Sequence, residues 1–150
     1  MHDIFGILQN QVLWCAVAAW FIAQALKIPT YWLVEKELNW RRFFGSGGMP
    51  SSHSAFVMAL AIMVGAVEGF DSAAFAITVV LAAIVMYDAS GVRHETGVQG
   101  QVLNEIIRKV FVDGQPITDV ELKELVGHTK VEVAGGFLVG VLTALAFIFL

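Results

Sequence analysis

The chain has 150 residues, of which 57% are hydrophobic and 15% charged, with a formal net charge of −4. An ordinary soluble domain carries about 25% charged residues, so this composition argues against a surface facing water on all sides. With nine Lys/Arg against thirteen Asp/Glu and no basic block, nucleic acid is not an expected partner.

The N-terminal stretch MHDIFGILQN has no Lys or Arg, so it does not read as a cleaved signal peptide. The first apolar run covers 12–26, extended backwards by Ile7 and Leu8; others cover 55–67, 73–87 and 131–150. Crossing a bilayer takes roughly 17–25 mostly apolar residues. The expected fold is therefore an all-α integral membrane bundle with about four transmembrane helices, forming a single domain over 1–150. Cys15, the single cysteine, falls inside the first run and reads as a small buried hydrophobe. After that run, YWLVEKELNW (31–40) is too short to span and suits an interfacial helix anchored by Trp32 and Trp40. Residues 92–126 form the main aqueous segment. Within it, LNEIIRKVF (103–111) and TDVELKEL (118–125) suit short helices, with Thr118 and Glu121 as a capping box.

Every Lys and Arg lies in one of two segments. Lys27, Lys36, Arg41 and Arg42 separate runs one and two; Arg93, Arg108, Lys109, Lys123 and Lys130 separate runs three and four. The intervening turn EGFDS (68–72) has only acids. The positive-inside rule makes both basic segments cytoplasmic and both termini external, as expected for a multi-pass protein of the cell membrane.

Three polar clusters meet on that cytoplasmic side: GGMPSSHSA (47–55), YDASGVR (87–93) and GHTKVE (127–132). Ionisable groups at membrane depth are costly and read as functional. Gly47 and Gly48 allow close backbone approach, and Pro50 fits the opening turn of a helix. Ser51, Ser52 and His53 then fall where free N–H groups and the helix dipole favour an anion, though serines here also serve as caps. His128 and Glu132 are one helical turn apart on one face. A carboxylate there can fix the histidine tautomer and leave the second ring nitrogen as a nucleophile. Arg93 can hold a phosphate by its planar fork with Asp88 orienting it, or the two can form an interfacial ion pair. Lys27 can reach the same anion or extend to lipid head groups.

MPSSHSA resembles the Pro-Ser-Gly-His signature of the type 2 phosphatidic acid phosphatase superfamily, which includes vanadium haloperoxidases and bacterial acid phosphatases. GHTKVE is similar to the His-x3-Asp end of its last signature. GGMPSSHSA, YDASGVR, GxQ (97–99), LN (103–104) and LKELVGHTKVE (122–132) together resemble the divergent branch of that superfamily, in order along most of the chain. The resemblance implies a membrane lipid phosphatase working without a metal or other cofactor. In it His128 is the nucleophile, Glu132 holds its ring, and His53 is the general acid and base. Lys27, Ser51, Ser52 and Arg93 bind the phosphoryl oxygens, with Asp88 and Gly48 in support. There are departures. Ser52 stands for glycine, Glu132 for aspartate, and Leu122 and Glu121 occupy the places of a Ser-Arg pair. No Arg-Pro follows Lys27. These losses leave open a non-catalytic lipid-phosphate carrier using the same pocket. A metal site of His53, Asp88, His128 and Glu132 is a further alternative. Four spans are fewer than the superfamily's six-helix core, and Gly65-x3-Gly69 and Gly136-x3-Gly140 offer smooth helix faces. A homodimer is therefore expected.

Overall fold

The computed structural model describes residues 4–45, 47–91, 96–104 and 128–150. Among these, all regular structure is helical: α1 (Gln11–Glu35), α2 (Ser52–Glu68), α3 (Ala73–Ser90), α4 (96–104) and α5 (Lys130–Phe149). Four of these helices begin at a side-chain cap, which the sequence supplies each time as Asn, Ser or Thr. Asn10, Ser51, Ser72 and Thr129 accept from the main-chain N–H of Leu13, Ser54, Phe75 and Glu132 respectively.

Three helices, α1, α3 and α5, are long and apolar enough to cross a membrane by length and composition. The fourth expected span, α2, is an apolar helix of 17 residues. That is the short end of the roughly 17–25 residues a bilayer requires. It is also the central helix, packing on α1, α3 and α5. The core is built from small residues: Cys15, Ala19 and Ala23 of α1, Ala55, Ala59 and Met63 of α2, and Ala144 of α5. Repeats of four put each set on one helical face, so the backbones approach closely. The large side chains point the other way. Phe21, Ile22, Ile77, Val80, Ile84, Leu138 and Leu142 are all exposed. Water would penalise such a surface, whereas lipid does not. The chain folds as a membrane helical bundle.

Three local expectations are corrected. Residues 31–35 are the last turn of α1, which passes through Pro29 and stops at Lys36 in the left-handed conformation (φ 59°). A separate interfacial helix over 31–40 is absent; a short 3-10 helix, Trp40–Phe44, follows instead. Proline is tolerated inside membrane helices, where neighbouring helices and local adjustments re-satisfy the freed backbone groups. Pro50 precedes the cap Ser51 and so lies outside the opening turn of α2. The glycine faces are used within the chain. A Cβ on Gly136 would lie 2.1 Å from Ser51 O, and one on Gly140 would lie 2.6 Å from Ala55 O. A Cβ on Gly65 would meet the Phe70 ring at 2.6 Å, and Gly69 is a turn residue with φ 97°. These glycines thus give no reason for a dimer. The helix expected at 118–125, with its Thr118–Glu121 cap, lies outside the described residues, as does most of that at 103–111.

Candidate functional site

One end of the bundle is tied together by backbone bonds between segments distant in sequence. The Ser51 N–H donates to Glu132 O at 2.9 Å, joining the start of α2 to the first turn of α5. The His128 N–H donates to Ala89 O at 2.9 Å, joining the approach of α5 to the last turn of α3. The described parts of GGMPSSHSA, YDASGVR and GHTKVE, the clusters singled out in the sequence, are therefore neighbours.

At the start of α5 a single carboxylate does two jobs. Glu132 Oε2 accepts from His128 Nδ1 at 2.9 Å and from the Thr129 main-chain N–H at 3.3 Å. The Thr129 hydroxyl in turn accepts from the Glu132 N–H, completing a capping box. A carboxylate can only accept, so Nδ1 carries a proton, and in the neutral ring that leaves the lone pair on Nε2. The longer glutamate chain at this position suits a box whose third residue must reach back one turn.

His128 is buried, being 3% exposed. The His53 ring lies against it edge-on, with centroids 6.3 Å apart and planes at 61°. His53 itself is exposed, whereas its neighbours Ser51 and Ser52 are buried. Ser51 Oγ serves as the cap of α2, accepting from Ser54 N at 3.3 Å and from Ser54 Oγ at 3.0 Å. The cap role anticipated for a serine here therefore belongs to Ser51. Gly47 and Gly48 sit at φ 87° and 83°, a region only glycine enters freely. A Cβ on Gly48 would meet nothing within 4 Å, so the space beside its backbone is open.

Lys27 reaches this end from α1. It is buried, donates to Gly45 O at 3.2 Å, and interacts electrostatically with Glu132. Asp88 is half-buried in the last turn of α3, one residue before the carbonyl that holds His128. Arg93 lies outside the described residues. Among the described residues, no three His, Cys, Asp or Glu side chains are grouped so as to hold a metal ion.

Two further side chains belong to this end, and the sequence reading passed over them. Gln24 Nε2 donates to Phe43 O at 2.9 Å, and the Thr30 hydroxyl faces Met49 O. Their signal was present as polar residues recurring every third position, at 24, 27 and 30, in an otherwise apolar helix.

Residues 8–143 match the Divergent PAP2 family. The chain is also similar to the uncharacterized membrane protein YuiD of Bacillus subtilis (strain 168), with 38% identity over 149 residues. That alignment covers 93% of this chain and 94% of the relative. No solved structure matches. With most of its length matched, and with the motif residues gathered at one end of an apolar bundle, the chain belongs to the Divergent PAP2 family.

Proposed function

We propose that the protein is a membrane phosphatase that hydrolyses a lipid phosphate monoester or pyrophosphate through a phosphohistidine. The observation that carries this reading is the His128–Glu132 pair, 2.9 Å apart, with the His53 ring beside it at one end of the bundle. Family membership supports it.

His128 Nε2 attacks phosphorus with the lone pair left free by the Nδ1–Glu132 bond. The P–O bond to the lipid breaks, and His53 protonates the departing oxygen. His53 then takes a proton from water as that water displaces His128 and releases phosphate. Lys27, Ser51, Ser52 and Arg93 carry the charge developing on the phosphoryl oxygens, with Asp88 orienting Arg93. Gly48 leaves room for the phosphoryl group beside the backbone. The apolar outer faces of α1, α3 and α5 let a lipid reach this end from within the bilayer. The placing of all Lys and Arg in two segments supports a cytoplasmic site. A second copy of the chain completes the wall around the pocket, because the four apolar runs of the sequence are fewer than the helices of the superfamily core.

The test is phosphate release from phosphatidic acid, phosphatidylglycerophosphate and a polyprenyl phosphate, in detergent with a chelator present. At least one lipid should be hydrolysed, and vanadate should inhibit. Binding of all three without release would replace the phosphatase with a carrier, and a strict need for a divalent ion would overturn the mechanism.

A further inference from the structure

Gln24, Lys27 and Thr30 of α1 have something in common beyond their spacing: each gives a hydrogen bond to a carbonyl of the segment 43–49. Gln24 takes Phe43 O at 2.9 Å, Lys27 takes Gly45 O at 3.2 Å, and Thr30 takes Met49 O. Gln24 and Lys27 are 6% and 4% exposed, so the first two bonds are made out of water. A lost partner there leaves a bare carbonyl at membrane depth. The Thr30 hydroxyl has a single proton and three carbonyls in reach, and Met49 O is the nearest.

The loop so held leads directly into Ser51 and His53. Its two left-handed residues, Gly47 and Gly48, are buried and half-buried respectively. Among the described residues the N–H of neither has an acceptor. The carbonyls of 43, 45 and 49 are drawn to α1, and the Gly47 and Gly48 N–H groups stand beside them without an acceptor. Successive free N–H groups in a tight turn form an anion-binding concavity.

We infer that Gln24 and Thr30 are positioning residues: with Lys27 they clamp the 43–50 loop by its carbonyls, so that the Gly47 and Gly48 N–H groups receive a phosphoryl group. This rests on the phosphatase reading for the identity of the anion. The inference makes no demand on turnover, so binding can test it separately.

The full-length protein in detergent is titrated with inorganic phosphate, followed by ³¹P NMR, and in a second arm with a short-chain phosphatidic acid. Thr30→Val and Gln24→Met should each weaken binding of both probes roughly 3- to 10-fold, the scale of one lost hydrogen bond. Thr30→Ser keeps the hydroxyl and should restore wild-type binding. Thr143→Val removes an equivalent hydroxyl, bonded only to Val139 O within α5, and should change nothing. Melting of Thr30→Val close to wild type, together with weaker binding, separates positioning from a general loss of structure. Wild-type phosphate affinity in Thr30→Val and Gln24→Met overturns the inference alone. A loss seen with the lipid but not with inorganic phosphate also overturns it, because the loop would then be acting on the lipid portion. If the wild-type protein binds neither probe, the phosphatase reading and this inference fall together.

Discussion

The main-chain N–H of Ser51 donates to the carbonyl oxygen of Glu132 at 2.9 Å. This bond sets the cap of α2 against the first turn of α5. It is possible only because Gly136, one turn further along α5, has no side chain to hold the two helices apart. The geometry of the site is thus a consequence of helix packing, and packing variants should be felt there first.

Gly136→Ala should be the most damaging small substitution in α5, since its Cβ would lie 2.1 Å from Ser51 O, a backbone atom with no freedom to yield. Overpacking of this kind costs about 1–3 kcal/mol or more. Gly135→Ala should be mild, because its Cβ would meet the flexible end of Met49 at 3.2 Å. Denaturation midpoints in detergent will order the two; equal midpoints would mean that α5 is free to shift.

Glu132→Gln separates the two jobs of that side chain. Glutamine is an accepted capping-box residue, so it can still accept from the Thr129 N–H and stability should be nearly unchanged. The charge that steadies an imidazolium is gone, and turnover should fall on the order of 10²–10⁴-fold, the range of acid–base contributions. His128→Ala should remove turnover altogether. Glu132→Ala should lose both stability and activity. Parallel melting and phosphate-release assays distinguish these patterns.

Thr129→Ala removes the cap at the start of α5 and should cost about 1 kcal/mol. Because the Thr129 hydroxyl holds the Glu132 N–H, its loss should loosen the carboxylate that bonds His128 Nδ1, and activity should fall as well, even though Thr129 is exposed. An unchanged kcat with a lowered melting temperature would show that the cap and the histidine pair are independent.

Much of this architecture was legible from one sequence. Apolar runs located the helices, and the serines after Pro50 suggested the cap that Ser51 provides. The His128–Glu132 pair followed from a spacing of four on a helix, which fixes a shared face whatever the rest of the fold does. Tertiary relations were not legible in the same way. The stretch 31–40 reads as its own helix, yet α1 runs through Pro29 to Glu35, an interruption that membrane helices tolerate. Gly136 and Gly140 advertise a close helix contact without saying whose. The structure assigns it to Ser51 and Ala55 of the same chain. The loop clamp was hidden for a similar reason: Gln24 and Thr30 bond to carbonyls, which every residue possesses, so nothing in the sequence of residues 43–49 marks them as partners.

The most direct test of the central claim is to trap the covalent intermediate. Protein mixed with a ³²P-labelled lipid phosphate that it hydrolyses is quenched in alkali, where phosphohistidine survives, and the labelled peptide is identified by mass spectrometry. The mechanism requires label on His128 and its complete loss in His128→Ala, while in His53→Ala both the appearance and the decay of the label should slow, because His53 serves both steps. Steady release of phosphate by wild-type protein with no label on His128, or with full activity in His128→Ala, would contradict it.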